Sequence, residues 1–252
     1  MTPTPTPKTL YIHDDLTDDI AAQHGADSDA ARAVRSLLAL VGRDVTRTRI
    51  LKLEEQLAAL VDGHHAPFSL AVGIGRAGER VAGQIHARTG WFPRIERVDL
   101  TREERDGGYT LSTLGRPPLA EQLAAVDVDG AVAVVDDTVF SGLTMLAVLR
   151  ALPAACLART HAFCLRAVGE SLAQVGTLCP ATAGFVAHGR LLEDVSFINA
   201  SGLVRRGAIR RAGHHPLAFY ERPEWMRAWF LADADLVIAR CASLARLLDD
   251  LD

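Results

Sequence analysis

Hydrophobic and polar residues follow two different periods along the chain. Between residues 27 and 61, apolar side chains recur at helical spacing, as in SDAARAVRSLLALV and LEEQLAALV, and Ser28 stands where a helix cap is expected. From residue 68 to residue 188, short apolar runs such as FSLAVGI and GAVAVVDD alternate with amphipathic stretches such as GERVAGQIHART. Strands that alternate with helices through short connections predict an α/β fold with a parallel sheet flanked by helices.

The pattern predicts four parts. Residues 1–8, MTPTPTPK, form a Pro/Thr repeat that predicts a disordered tail. Residues 9–66 are predicted to be a helical region, and residues 67–190 to be the α/β core. In residues 191–252 the alternation is lost, and the sequence predicts a C-terminal helical segment that ends in an amphipathic helix.

Composition and charge narrow the class of function. Hydrophobic residues make up 49% of the 252 residues and charged residues 23%, as in ordinary globular proteins. The net charge of −4 provides no general attraction to nucleic acid or to anionic membranes, so we expect neither as a partner. No apolar run has the length of a membrane span.

The cysteine pattern favours a reducing compartment. Cys156, Cys164, Cys179 and Cys241 form no CxxC pair and no zinc-site spacing with histidine. We therefore expect four reduced, buried thiols in a cytoplasmic protein.

Two adjacent acids end the apolar strand in AVAVVDDTVFSGLTM, residues 131–145. Asp136 and Asp137 reach the rim of the sheet, where paired carboxylates can accept hydrogen bonds from vicinal ribose hydroxyls or hold Mg²⁺ through its waters. Residues 138–144 are predicted to form a loop at a helix N-terminus, whose free N–H groups suit a phosphate. A helix cap alone explains one acid, but not the pair with its Ser-Gly-x-Thr spacing.

This stretch resembles the phosphoribosyl-pyrophosphate (PRPP) loop of type I phosphoribosyltransferases. In that family an apolar strand is followed by two acids, three variable residues and Thr/Ser-Gly-x-Thr. The resemblance implies a phosphoribosyltransferase-like core in which Asp136 and Asp137 are catalytic residues that bind the ribose hydroxyls and Mg²⁺. It implies that seven residues surround the 5′-phosphate: Thr138, Val139, Phe140, Ser141, Gly142, Leu143 and Thr144.

One position departs from part of the family. In members that act on 6-oxopurines, the position of Phe140 carries an Asp that contacts the base. A phenylalanine cannot accept that proton, so the resemblance disfavours a hypoxanthine- or guanine-type acceptor.

A second glycine-rich stretch, LAVGIGRAGERVA, leaves two interpretations open. Gly73-x-Gly75-x-x-Gly78 between a strand and a helix, with Asp99 near the end of the next strand, matches the dinucleotide-binding fingerprint of NAD(P)-dependent oxidoreductases. The same residues fit the first loop of a phosphoribosyltransferase, which also accounts for the acid pair. On that interpretation four residues bind the pyrophosphate: Gly75, Arg76, Ala77 and Gly78.

The polar segment TREERDGGYTLSTLG lies where the resembled family has a mobile loop that closes over the reaction and excludes water. Arg102 and Arg105 are candidates to clamp the pyrophosphate, and Gly107 and Gly108 are candidate hinges. An ordinary solvated hairpin is an equally simple interpretation.

The resemblance implies an enzyme that transfers the 5-phosphoribosyl group from PRPP to a nitrogen-containing, nucleobase-like acceptor and releases pyrophosphate. Mg²⁺ is the expected cofactor and a homodimer the expected assembly. Positioning of the reactants and neutralisation of the leaving group would supply most of the catalysis. The alternative is a non-catalytic protein of the same fold that senses PRPP or a nucleotide.

The acceptor site is expected in a hood outside the core. Phe197 and Asn199 are candidates to stack on the acceptor and to hydrogen-bond with it, unless they are a buried Phe and a turn Asn. The arginines of RRGAIRR (205–211) are interpreted as a solvated face, with a site for an anionic acceptor or RNA as the alternative. Three aromatic residues are interpreted as core or dimer interface, with a pocket lining as the alternative: Tyr220, Trp225 and Trp229. Five histidines are interpreted as surface residues: His13, His64, His65, His214 and His215.

Overall fold

The computed structural model describes residues 6–63, 65, 67–105, 108–124, 126, 129–211 and 213–251. Of the features expected from the sequence, residues 1–5 of the tail, His64 and Gly107 lie outside this range. The chain divides into two compact units, which we call the core unit (Glu54–Gly189) and the terminal unit (Met1–Leu53 with Arg190–Asp252).

Ten strands and eleven α-helices are assigned in the described residues. The strands are β1 (Thr9–Asp14), β2 (Thr48–Lys52), β3 (Leu70–Ile74), β4 (Ile95–Val98), β5 (Thr101–Arg105), β6 (Gly108–Ser112), β7 (Val132–Val139), β8 (Thr160–Val168), β9 (Ala181–Ala187) and β10 (Val195–Asn199). The helices are α1 (Thr17–His24), α2 (Asp29–Val41), α3 (Leu53–Val61), α4 (Gly75–Thr89), α5 (Leu119–Leu123), α6 (Leu143–Ala151), α7 (Ala154–Leu157), α8 (Gly169–Gly176), α9 (Ala200–Val204), α10 (Pro223–Phe230) and α11 (Ala234–Asp249).

The core unit contains a five-stranded sheet in the order β4-β3-β7-β8-β9, and every neighbouring pair is parallel. All of β3 and the first four residues of β7 are buried, as expected for a parallel sheet that is covered on both faces. The predicted class, a parallel α/β sheet flanked by helices, is confirmed.

The order of the strands places a switch point between β3 and β7. Numbered by their succession along the chain, the five strands run 2-1-3-4-5 across the sheet. After β3 the chain moves to one side to form β4, and it later returns to the other side of β3 to form β7. In open α/β sheets, ligands bind beyond the carboxyl ends of the strands at such a point.

The segment between β4 and α5 is an antiparallel hairpin of β5 and β6, with register from Thr101↔Ser112 to Arg105↔Gly108. This is the segment for which the sequence left a mobile loop and a hairpin open. The segment therefore has the conformation of a hairpin, and the prediction that it moves to close over the reaction stays a prediction.

The terminal unit is built around a second parallel sheet, in the order β10-β1-β2. Helix α2 begins as predicted, because the Ser28 side chain accepts a hydrogen bond from the N–H of Ala31 at 3.1 Å. The expectation that residues 9–66 are helical is wrong for β1 and β2. Strand β1 pairs with β10 from the far end of the chain, a pairing that no local periodicity reveals.

The boundaries of the units also differ from the expected ones. Residues 6–8, placed in a disordered tail by the sequence, lead directly into β1, and the N–H of Lys8 donates to the carbonyl of Glu193 at 3.1 Å. The core unit begins before residue 67 because α3 packs closely on β9. A Cβ at Gly184 would lie 2.1 Å from the carbonyl oxygen of Gln56.

All four cysteines are buried with free thiols, as expected. Burial raises the pKa of Cys164 and Cys179, and raises that of Cys241 to about 12, so these thiols stay protonated. In the described part of the chain, none of the helices combines the length and the apolar character needed to cross a membrane.

Candidate functional site

Strand β7 carries the acid pair and continues beyond it. The pairing Thr138↔Arg166 and Val139↔Ala167 with β8 extends the strand to Val139. Only residues 140–142 form a loop, because α6 begins at Leu143. The predicted loop over 138–144 is therefore too long at both ends, since strand pairing with β8 holds its first residues.

Helix α6 begins without a side-chain cap. Its N-cap residue is Gly142, with a left-handed φ of 74°, a conformation that costs glycine little. The hydroxyl groups of Ser141 and Thr144 make no hydrogen bond within the described residues, and Leu143 is 37% exposed. The first turn thus offers free N–H groups and two hydroxyl groups, which suit an anion.

A buried serine fixes the loop from the other side. The Ser171 hydroxyl, in α8, donates a hydrogen bond to the carbonyl oxygen of Phe140 at 2.7 Å. Sequence reasoning missed this residue, because a serine in an amphipathic helix carries no mark of its contact with a distant loop.

The two carboxylates of the acid pair differ in their surroundings. The N–H of Asp137 donates to Oδ1 of Asp136 at 2.8 Å. Burial, reinforced by the charge of Asp137, raises the pKa of Asp136 well above its usual range, and the charge of Arg102 opposes this shift in part. Asp136 therefore takes up a proton more readily than an ordinary aspartate.

Asp137 is paired with an arginine that the sequence analysis did not single out. Nη2 of Arg166, in β8, lies 3.1 Å from Oδ2 of Asp137. The Arg166 side chain is 1% exposed and that of Asp137 is 21% exposed. The available signal was a lone charge inside the apolar run THAFCLRAV, since arginine is rarely buried without a partner.

The structure brings one of the two candidate clamp arginines to the loop. The guanidinium group of Arg102, in β5, lies 5.6 Å from the ring centres of both Phe140 and Tyr109. Arg105 is exposed at the other end of β5, where it pairs with Gly108. A pyrophosphate-binding role for either arginine stays a prediction.

The second predicted loop is the first turn of α4. Gly75 begins the helix with a φ of 61°, and a Cβ there would meet no heavy atom within 4 Å. The N-cap residue, Ile74, provides no side-chain cap. Arg76 is exposed and has no polar partner among the described residues. Residues 75–78 therefore provide open N–H groups from a helix terminus rather than from a loop.

Close packing at Gly78 brings α4 against β7. A Cβ on Gly78 would lie only 2.3 Å from the carbonyl oxygen of Val135, the residue that precedes the acid pair. The glycine allows the helix to approach the strand at the switch point. Two uncapped helix N-termini, those of α4 and α6, thus follow the two strands that flank the switch point.

The strand order disfavours the dinucleotide-binding interpretation. That fold has the order 3-2-1-4-5-6, whereas the core unit has 2-1-3-4-5. The acid that should bind the ribose is already engaged, because Asp99 lies 3.2 Å from Nε of Arg97 and 3.4 Å from Nε of Arg116.

The acid pair fits a magnesium ion that arrives with a phosphorylated substrate. Within the described ranges, no group of three or more His, Cys, Asp or Glu side chains could hold a metal ion. Mg²⁺ commonly uses one or two carboxylates together with waters and substrate phosphates. Asp136 and Asp137 supply that donor set without forming a complete protein cage.

The two candidate acceptor residues lie in the terminal unit. Phe197 is buried in β10, with its ring centre 5.2 Å from that of Tyr11, and Asn199 ends the same strand. The buried-Phe alternative describes Phe197, but Asn199 ends a strand and not a turn. Contact with an acceptor stays a prediction.

The remaining features of the terminal unit are largely structural. Arg206 pairs with Glu221 at 2.8 Å, and the ring centres of Phe219 and Trp229 lie 5.2 Å apart within the apolar core.

Among the described histidines, His214 and His215 are exposed as expected and His65 is half-buried. The expectation of a surface position is wrong for His13, which is 2% exposed because β1 is the central strand of its sheet.

Comparison with known proteins returned similar structures only. No protein-family model matches the chain, and no curated protein matches it. A hypothetical protein from Neisseria gonorrhoeae with bound ppGpp matches at 14% identity and a TM-score of 0.38, over 75% of this chain and 88% of that one. The xanthine-guanine-hypoxanthine phosphoribosyltransferase of Helicobacter pylori matches at 13% identity and a TM-score of 0.35, over 74% of this chain and 92% of that one. The purine phosphoribosyltransferase of Pyrococcus horikoshii matches at 15% identity and a TM-score of 0.34, over 66% of this chain and 87% of that one.

Two of these structures belong to the family whose PRPP loop the sequence resembles. At these identities and TM-scores, the matches add no argument to the strand order and the arrangement of the site.

Proposed function

We propose that the protein is a phosphoribosyltransferase that transfers the 5-phosphoribosyl group from PRPP to a nitrogen-containing acceptor and releases pyrophosphate. One observation carries the proposal. The acid pair and the Ser-Gly-x-Thr segment lie at the carboxyl end of β7, where the strand order has its switch point and an uncapped helix begins.

Each part of PRPP has a chemically suitable counterpart in the core unit. Asp136 and Asp137 accept hydrogen bonds from the ribose hydroxyls. The first turn of α6, with the hydroxyls of Ser141 and Thr144, binds the 5′-phosphate. The first turn of α4 and the exposed Arg76 bind the pyrophosphate, which departs from C1 of the ribose as the acceptor nitrogen forms its bond there.

Magnesium is proposed as the accompanying cofactor. Asp136 and Asp137 would hold the ion, and it would supply positive charge to oppose the negative charge that develops on the leaving group. The chain's own contribution is to fix the ribose through the acid pair and the phosphates through the helix N-termini, so that C1 is held for attack.

Phe140 offers no acidic side chain to the acceptor. The Phe140 side chain contacts the guanidinium of Arg102 and can neither accept nor donate a proton. We therefore propose an acceptor whose nitrogen needs no proton removal by the residue at this position, which disfavours 6-oxopurines.

Calorimetric titration with PRPP, in the presence and absence of Mg²⁺, tests the proposal. We expect saturable, Mg²⁺-dependent binding that is lost in the variant Asp136→Asn/Asp137→Asn. Asp99→Asn is the matched control, because Asp99 is an acid at the end of β4 that the PRPP site does not use. The oxidoreductase interpretation would be supported instead if the folded wild-type protein bound NADH but not PRPP, and if Asp99→Asn lost the binding of NADH.

A second candidate is a non-catalytic protein that senses PRPP or a nucleotide through the same site. The observation in its favour is that Arg102, the candidate clamp arginine near the loop, is already stacked between Phe140 and Tyr109. A screen of nitrogen heterocycles for pyrophosphate release separates the two candidates, because a sensor binds PRPP without turnover.

The proposal includes a cytoplasmic location and a homodimeric state. Four buried, free thiols are consistent with a reducing compartment. Light scattering coupled to size-exclusion chromatography measures the assembly directly.

A further inference from the structure

Arg166 is the one arginine among the largest fully buried side chains of the described structure. It lies in β8 directly opposite Thr138, one residue from the acid pair on the neighbouring strand. Its Nη2 lies 3.1 Å from Oδ2 of Asp137. Charge, burial and contact therefore converge on the carboxylate that the proposed function assigns to the ribose.

Stability of the fold is a poor explanation for this ion pair. Burial of the Arg166 guanidinium group costs several kcal/mol, and replacing a buried ion pair by apolar side chains of similar volume is often neutral or stabilising. Asp137, whose side chain is 21% exposed, loses less of its hydration. On β8, Arg166 lies between the buried apolar residues Leu165 and Ala167, where an aliphatic side chain would suit the sheet. Asp137, by contrast, lies between two polar residues of β7. The buried charge of Arg166 has a purpose if the Asp137 carboxylate must keep a fixed orientation to bind a ligand.

Two adjacent carboxylates also repel each other. The positive charge of Arg166, 3.1 Å from Oδ2 of Asp137, offsets this repulsion and favours the orientation that the Asp137 carboxylate has in the structure. The planar guanidinium group holds a carboxylate in a defined direction, whereas an ammonium group is a point charge with freely rotating donors.

We infer that Arg166 is a positioning residue, which holds the Asp137 carboxylate in the orientation that accepts the ribose hydroxyls of PRPP. This inference rests on the proposed function. Arg166 acts through Asp137 and needs no contact with the substrate. Orienting partners of this kind typically change affinity by about 10- to 100-fold.

The experiment compares PRPP·Mg²⁺ affinity and melting temperature in wild type, Arg166→Lys and the matched control Arg150→Lys, whose arginine is exposed in the last turn of α6. We expect Arg166→Lys to melt close to wild type, because it keeps the buried charge, and to bind PRPP about 10- to 100-fold more weakly. Arg150→Lys should match wild type in both measurements. Affinity within about threefold of wild type in Arg166→Lys overturns the inference.

A second pair of variants separates positioning from a structural role. Arg166→Met removes the guanidinium charge beside the Asp137 carboxylate and should lower the melting temperature, whereas Asp137→Asn/Arg166→Met removes both charges and should recover most of that loss. A double variant as unstable as Arg166→Met shows that the arginine serves the fold and overturns the inference.

The failure of the inference differs from the failure of the proposed function. If wild type does not bind PRPP·Mg²⁺, the proposed function is overturned, and this inference with it. If wild type binds and Arg166→Lys binds equally well, only the inference is overturned.

Discussion

The guanidinium group of Arg102 lies 5.6 Å from the centre of the Phe140 ring. Arg102 belongs to the β5–β6 hairpin, and Phe140 to the short loop between β7 and α6. This cation–π contact therefore connects the hairpin to the loop that follows the acid pair. Tyr109, on the other strand of the hairpin, lies 5.6 Å from the same guanidinium group.

Loss of the Phe140 ring should release the hairpin. A cation–π contact at an exposed site contributes about 0.5–1 kcal/mol, so we expect Phe140→Leu to increase hydrogen exchange in β5 and β6 by about two- to fivefold. Mass-spectrometric hydrogen exchange measures this. Tyr109→Leu is the control, because it removes a contact within the hairpin and keeps the contact with the loop. Equal exchange in wild type and Phe140→Leu would show that the ring does not hold the hairpin.

Gly78 should tolerate no side chain. Because a Cβ there would stand 2.3 Å from the carbonyl oxygen of Val135, Gly78→Ala must push α4 away from β7. We expect a loss of about 1–3 kcal/mol in the free energy of unfolding, measured by urea denaturation.

Gly83→Ala is the matched control on the same helix. A Cβ at Gly83 would meet no heavy atom within 4 Å, so alanine should stabilise the helix by about 0.5–1 kcal/mol. If both variants were destabilised equally, the close approach at Gly78 would not be the cause.

Ser171→Ala should weaken the support of the loop between β7 and α6. The substitution removes the hydroxyl that donates to the carbonyl of Phe140 at 2.7 Å in a partly buried position. Loss of a hydrogen bond at such a partly buried position costs about 0.5–1.5 kcal/mol in the free energy of unfolding. The exposed Thr177 hydroxyl, which donates to the carbonyl of Gln174, provides the comparison, and Thr177→Val should cost far less in the same urea titration. Similar losses in both variants would contradict the assigned role of Ser171.

His161 should make the core unit sensitive to acid. Its Nε2 lies 2.8 Å from Oγ1 of Thr182, and its ring stacks on Phe163 at 4.3 Å. Burial, with a smaller contribution from His65, lowers the pKa of His161 from 6.5 to about 4. Between about pH 6.5 and about pH 4, His161 therefore binds a proton in the unfolded chain but not in the folded chain. The free energy of unfolding consequently falls as the pH drops through this range.

After allowance for partial exposure, the loss attributable to His161 is on the order of 1–3 kcal/mol. Urea denaturation across this pH range, compared between wild type and His161→Phe, measures it. The phenylalanine retains the stacking on Phe163 and removes the titration, so the pH dependence should become shallower. The exposed His86→Gln should leave it unchanged. A pH dependence that is identical in wild type and His161→Phe would exclude this histidine as the cause.

Local pattern was sufficient for most of the core unit. The runs FSLAVGI and GAVAVVDD predicted β3 and β7, and the cap at Ser28 predicted the start of α2, because period and capping depend on residues close in sequence. The same local signal located the acid pair in β7, although the strand ends two residues later than predicted, at Val139. It failed for β1 and β2, whose partners are decided by packing within the terminal unit.

The sequence was sufficient to predict the α/β class and the strand that carries Asp136 and Asp137. Three contacts emerged only from the folded structure: the pairing of Asp137 with Arg166, the hydrogen bond from Ser171 to Phe140, and the approach of Arg102 rather than Arg105 to the loop. The reason is physical. Side-chain periodicity reports which face of an element is buried, whereas ion pairs and hydrogen bonds between elements depend on strand order and register, which are settled only when the whole unit packs.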